Sequence, residues 1–375
     1  MNIIRILFFL ALIIVQVHAD PFFSKNQLFE GGRFPGLGIT NKGTVLAFWG
    51  DKQLLVKRSL DKGQTFGSDI VIAKEGINGG GVIVDINSGK ILAFSQSKHP
   101  PAESFIHESN DDGLTWKTSK LKILNQQEEF QTQLHFAGSG IKLESNKCQD
   151  RLIRPTRVYG EKNGYNNAIY SDNARDWTVS KKFPIQATGE GAIIELANGN
   201  LLYSSRKHWF NSQKNASPFR LFAYSSDCGE SWEFPFESQG LYDGPRYRGI
   251  SEGKGPTHQG HFGLMGDMSK LHVDGAEVLF HSNVYENESD WKRRGLTIWA
   301  SIDGGVSWPI KRKIHIGPSA YSSIKTIQNE KDNMNSLIIA HFEGGEEKEY
   351  EGSYVSVFNL YWLFENNINF VKSEK

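Results

Sequence analysis

The sequence predicts an all-β chain assembled from repeated four-stranded units, a β-propeller, and three observations carry that prediction. Glycine and aromatic residues are abundant, with 38 glycines and 12% Phe, Trp and Tyr, while amphipathic helical periods are hard to find. An octet of the form S-x-D-x-G-x-[ST]-[WF] recurs at Ser59–Phe66, Ser109–Trp116, Ser225–Trp232 and Ser301–Trp308, with a worn copy at Tyr170–Trp177 in which the Ser, Gly and Thr positions have drifted. Its Asp positions recur at intervals of about 50 to 76 residues, the size of a four-stranded blade with its loops.

The N-terminus comes first. Arg5 supplies a positive n-region, Ile6 to Val15 an apolar run, and Val17-His18-Ala19 the small residues near a cleavage site. The run is too short to span a bilayer comfortably, so residues 1–19 read as a cleaved signal peptide. A chain starting near Asp20 has roughly 355 residues, enough for one large β-architecture. We expect residues 20–375 to form a single domain, secreted or held in the lumen of the secretory pathway. Sequons at Asn215 and Asn287 fit that route. No later segment has the length of a membrane span. Forty-two basic residues balance 42 acidic ones, so no global field favours nucleic acid. Cys148 and Cys228 are the only cysteines; one disulfide is possible, and the sequence leaves their pairing open.

The octets carry turn chemistry. An Asp carboxylate accepts from nearby backbone N–H groups, and Gly two residues on tolerates positive φ. The terminal Trp or Phe packs into the seam between sheets. Short β-branched or aromatic runs flank the copies, such as Leu54 to Val56 and Leu296 to Trp299. These Asp residues are turn formers.

The octet resembles the Asp-box of the sialidase (neuraminidase) superfamily, and that resemblance implies a six-bladed propeller. Segments between the octets are similar to the same family, in its order. Gly32-Arg33-Phe34-Pro35-Gly36-Leu37, running into Lys42 to Phe48, resembles the opening strand that holds the first clamp arginine, Arg33. Gly189-Glu190-Gly191 to Leu196, then Asn198 to Arg206, resembles the segment that carries the general base, Glu190, and the second arginine, Arg206. Arg293-Arg294-Gly295-Leu296-Thr297 resembles the third arginine motif, with Arg293 favoured over Arg294. Tyr321-Ser322-Ser323-Ile324 resembles the nucleophile segment, and Leu337 to Glu343 the strand whose Glu orients the first arginine. Gly138 to Ile141 and Gly255 to Gly260 echo further blade segments.

The chemistry fits these residue types. A sialic acid bears a carboxylate on its anomeric carbon, and guanidinium groups match a carboxylate bidentately at any working pH. A neutral tyrosine avoids the repulsion that a carboxylate nucleophile would meet, provided a carboxylate such as Glu190 takes its proton. The acid is where the chain departs from the family. The loop after Ala47-Phe48 is short, reading Trp49-Gly50-Asp51-Lys52-Gln53, and Asp51 is its only acidic residue. Asp51 is assigned as acid/base; a tight Gly-Asp turn would also account for it.

Other residues have bland readings. Glu195 lies an odd number of residues from Glu190 on one strand, so alternation sends it to the opposite face as a structural group. His258 and His261 have no third ligand at helical spacing, so zinc is not expected. Gly79-Gly80-Gly81 lacks the Lys-Ser/Thr of a phosphate loop, and Lys311-Arg312-Lys313 reads as a solvated cluster. The expectation is a retaining exo-α-sialidase acting on sialylated glycoproteins, glycolipids or oligosaccharides without cofactor or metal. The alternatives are a non-catalytic glycan-binding propeller and a propeller glycosidase for a related acidic sugar.

Overall fold

Strands form wherever the sequence alternates or runs apolar between turn residues, and they gather in chain order. A computed structural model describes residues 20–126, 131–134, 138–159, 164–208, 217–243, 246–248, 259–285 and 293–365. The predicted signal peptide, both sequon asparagines, His258 and most of the Gly255–Gly260 segment lie outside these residues. Among the described residues no helix is long and apolar enough to cross a membrane.

The first sheet runs Gly36–Ile39, Val45–Trp49, Leu54–Ser59 and Ile70–Ala73, each antiparallel to the next. The second is built on Ile91–Gln96, Ser104–Ser109 and Lys117–Lys120, with Ile77–Asn78 and Ile83–Val84 along its first edge. Leu152–Val158, Tyr165–Ser171 and Asp176–Val179 form the body of the third. Gly189–Glu195, Leu201–Arg206, Phe219–Ser225 and Glu233–Tyr242 make the fourth. A seven-stranded sheet completes the set, starting from Asp267–Val273. Its long strand Ile310–Ile327 pairs with Arg294–Ser301 up to Pro318 and with Leu337–Gly344 from Ser319 onward. Its last member, Phe23–Glu30, comes from the start of the chain and pairs with Gly352–Asn359 from the end.

Apolar clusters join these sheets face to face in sequence. Leu46 and Val56 meet Ile91 and Ala93; Phe94 meets Ile169 and Trp177; Ile153 meets Ile193 and Tyr203; Leu202 and Phe222 meet Leu279 and Trp308. Ile339 and Val357 of the last sheet then pack on Leu37 and Val45 of the first, closing the circuit. The arrangement is propeller-like. At the axis, the Asp267 carboxylate accepts from the Ser139 amide (3.0 Å), the Ser139 hydroxyl (2.8 Å) and the Ser323 hydroxyl (2.8 Å), tying three first strands or their approaches together. Lys142, Glu195, Lys270 and Lys325 line an axial cavity of about 500 Å³ at one end.

All four intact octets close the same way. The Ser hydroxyl donates to the Asp and accepts from the Gly amide, while the Asp accepts from the amide and hydroxyl of the Thr or Ser four residues on (2.9 and 2.5 Å at Asp61). Two successive residues take positive φ in each, as at Lys62 (62°) and Gly63 (88°). The worn copy is corrected by one residue. Ser171 and Asn173, rather than Tyr170 and Asp172, fill the Ser and Asp roles, with Asn173 Oδ1 accepting from the Arg175 and Asp176 amides. Only Ala174 has positive φ there, so the turn is a residue shorter and still delivers Trp177 into the core. Cys148 and Cys228 are joined in a disulfide, which settles the pairing the sequence left open.

Candidate active site

The candidate residues enter from loops and strand ends on the side of the axis away from the lysine-lined cavity. Glu190 sits at the start of Gly189–Glu195, where the pairing register shifts between Gly189 and Gly191. Its φ of 55° marks a bulge, and bulges re-aim side chains. The bulge also interrupts the alternation used to place Glu195; that carboxylate accepts from the Glu144 and Ser145 amides (2.7 and 3.0 Å) at the other end of the strand, a structural role. Tyr321 lies at a second register shift, between Ser319 and Ser322.

These irregularities bring a carboxylate and a phenol together. Tyr321 Oη donates to Glu190 Oε1 at 2.5 Å, and Arg206 Nη1 donates to Glu190 Oε2 and lies 3.3 Å from Tyr321 Oη. Burial alone would push the Glu190 carboxyl up, but Arg206 and Arg157 beside it hold it below the usual carboxylate range. Burial, and then Glu190, push the Tyr321 hydroxyl up against the pull of Arg206, Arg33 and Arg293. The pair therefore rests as carboxylate and neutral phenol.

Glu343, fully buried, organises the neighbouring corner. Its two oxygens accept from Arg33 Nε and Nη2 (3.1 and 3.2 Å), from the Phe34 amide (3.0 Å) and from the Tyr321 amide (3.0 Å). The Arg33 guanidinium stacks 5.0 Å from the Tyr321 ring centre and 4.1 Å from that of Tyr350. Arg293 Nη1 donates to the Tyr350 hydroxyl, which links it to Arg33. Arg294, the competing arginine, begins the Arg294–Ser301 strand. Asp51 stands apart. It is half-buried in the turn between Val45–Trp49 and Leu54–Ser59, next to Gly50, whose amide donates to the Arg33 carbonyl at 2.9 Å. Its carboxylate makes no hydrogen bond or ion pair among the described residues.

No protein-family model matches the sequence. The chain is 24% identical over 387 residues to a sialidase of Micromonospora viridifaciens, spanning 92% of this chain and 55% of that protein. It is 23% identical over 345 residues to a sialidase of Bacteroides fragilis, spanning 80% and 58%. Among solved structures, the intramolecular trans-sialidase of Ruminococcus gnavus aligns with a TM-score of 0.67 at 14% identity, covering 90% of this chain and 98% of that one, a likeness of fold. In sequence the chain is similar to these curated sialidases, and its fold is similar to that of solved sialidase structures. It spans little more than half the length of the curated sialidases it matches.

Sequence reasoning missed several groups that surround this constellation. Arg157 is fully buried, lies 3.0 Å from His208 Nδ1 and adds its charge to Glu190. Arg220 donates to Asp243 and to the Leu264 carbonyl (both 2.6 Å), and its Nη2 reaches the Glu190 carbonyl at 3.5 Å, bracing the bulge. Asp243 also accepts from the Lys207 amide at 2.7 Å. A usable signal existed: Arg220, and Arg157 together with Arg154, stand inside strands whose other residues are mostly apolar or small, and a charge inside such a run is either paired or functional. Tyr350, in an acidic loop, gave none.

Proposed function

We propose that this chain is a retaining exo-α-sialidase that removes terminal sialic acid from glycoproteins, glycolipids or oligosaccharides. The observation that carries the reading is the 2.5 Å hydrogen bond from Tyr321 Oη to a buried, ionised Glu190, set beside three arginines. On this reading the domain has six blades, the seven-stranded sheet counting as two that share the Ile310–Ile327 strand. The protein follows the secretory route.

Arg33, Arg206 and Arg293 hold the sugar carboxylate, and Glu343 offsets the charge of Arg33 while fixing its plane. Tyr321 Oη attacks the anomeric carbon as its proton passes to Glu190 Oε1, and the bond to the leaving oxygen breaks. Asp51 protonates that oxygen. Water then attacks the tyrosyl glycoside with Asp51 as base, the tyrosyl oxygen recovers its proton from Glu190, and the sugar leaves with its configuration retained. A second sugar in place of water turns the same sequence into transfer.

One observation favours a rival, a glycan-binding propeller without turnover: Asp51 sits on a four-residue turn with no hydrogen bond or ion pair among the described residues, and it is its neighbour Gly50 that bonds the Arg33 backbone. Fluorogenic α-sialosides separate the two. Wild type should turn over and Tyr321→Phe should lose at least about a thousandfold in kcat while still binding sialic acid. Binding without turnover in wild type selects the rival, and full activity in Tyr321→Phe removes the nucleophile.

A further inference from the structure

We propose that Tyr350 is a positioning residue of the carboxylate clamp, setting Arg293 against Arg33; the inference rests on the sialidase reading above. Arg33 is already fixed on one edge by both oxygens of Glu343. Arg293 has no such partner: among the described residues its side chain makes no ion pair, and its one side-chain hydrogen bond goes to the Tyr350 hydroxyl. A long cationic side chain at a loop end loses considerable rotamer freedom when it is held. Something must hold it if it is to meet a ligand carboxylate in register with Arg33. Tyr350 does so with two different parts of one side chain. Its ring lies against the Arg33 guanidinium, 4.1 Å from ring centre to guanidinium carbon, and its oxygen accepts from Arg293. The ring thus stands between two cations that would otherwise repel.

The loop that bears Tyr350 is built to stay put. The Glu351 carboxylate accepts from the amides of Glu346 (2.8 Å), Lys348 (2.9 Å) and Glu347 (3.5 Å), closing the loop on itself. The Glu351 carbonyl accepts from the Gly31 amide at 2.8 Å, two residues before Arg33. The Gly345 amide donates to the Pro318 carbonyl at 3.2 Å, on the strand that carries Tyr321. One loop is therefore tied to the segment of the first arginine, to the strand of the phenol and, through Tyr350, to the third arginine.

The test is a double-mutant cycle read by calorimetric titration with free sialic acid and by steady-state kinetics. Tyr350→Phe keeps the ring over Arg33 and removes the acceptor for Arg293. Sialic acid should bind about tenfold more weakly, KM should rise to match, and kcat should stay within about threefold. In an Arg293→Ala background the same change should alter binding by less than about twofold. Wild-type affinity in Tyr350→Phe would overturn the proposal, as would a loss that persists undiminished without Arg293. If wild type neither binds nor cleaves sialic acid, the sialidase reading fails, and this inference with it. An unchanged thermal midpoint in Tyr350→Phe distinguishes a displaced arginine from a damaged fold.

Discussion

Replacing Glu343 with Gln looks conservative and should not be. The carboxylate accepts four hydrogen bonds, two at each oxygen: Arg33 Nε and the Phe34 amide at Oε1, Arg33 Nη2 and the Tyr321 amide at Oε2. A glutamine amide presents one oxygen and one NH₂ group. In either flip the NH₂ faces two N–H donors, so a buried backbone amide and a part-buried guanidinium N–H lose their acceptor, and that guanidinium loses its counter-charge. Each unsatisfied donor costs about 1–3 kcal/mol, giving about 2–6 kcal/mol before relaxation. Taking about 3 kcal/mol after local adjustment predicts a fall in sialic acid affinity of about 100-fold. Part of the loss should appear in kcat, because the same oxygen that holds Arg33 also fixes the Tyr321 backbone. The assay is titration with sialic acid together with kcat and KM on a fluorogenic α-sialoside. A fall of less than about threefold in a protein with an unchanged unfolding midpoint would refute the claim that Glu343 organises this corner.

Asp51→Asn should abolish turnover of glycosides with poor leaving groups and spare activated aryl sialosides by comparison; an equal loss on both removes Asp51 as the acid. Replacing Cys148 and Cys228 together by Ser opens a link with a sequence separation of 80 residues, and chain entropy predicts a loss of up to about 4 kcal/mol. Thermal scans with and without reductant measure it, and a loss under about 1 kcal/mol shows that the link contributes little. The Thr65 hydroxyl and amide hold Asp61 down to about 2, and Thr115 does the same for Asp111 against its slight burial. Depressed carboxyls stabilise the fold above their ordinary value near 4, and that contribution drains away as pH falls through about 2. Melting temperatures between pH 6 and pH 2 should therefore decline, and Asp61→Asn should shallow the decline; an identical acid limb in the variant contradicts this.

The propeller-like arrangement was legible because its signal is local. Each octet closes on itself through a serine, an aspartate and a glycine within a few residues, so the sequence pattern and the hydrogen-bond pattern are nearly the same object. The worn copy shows the limit. Aligning Trp177 and counting back eight residues lands on Tyr170 and Asp172, whereas the backbone deletes one turn residue and uses Ser171 and Asn173. A spacing rule cannot see a deletion that the side-chain geometry absorbs. The way Phe23–Glu30 joins the last strand is equally invisible, because that pairing depends on residues more than three hundred positions apart.

The site was legible in its parts and illegible in its geometry, and Glu190 explains why. Period-two alternation predicts where a regular strand sends each side chain, but Glu190 has left-handed backbone dihedrals, a conformation that costs a non-glycine residue on the order of 1 kcal/mol. Such a residue persists only where its surroundings fix it. A Cβ on Gly191 would come within 2.3 Å of the Tyr203 ring, and one on Gly189 within 2.8 Å of Arg157 Nη1, so neither neighbour can be larger without moving the strand or the buried arginine. Arg220, braced by Asp243, reaches the Glu190 carbonyl from the next strands. The tripeptide Gly189-Glu190-Gly191 is thus a packing statement as much as a motif. Its two glycines let a buried carboxylate turn out of register to meet a phenol on a strand 131 residues away.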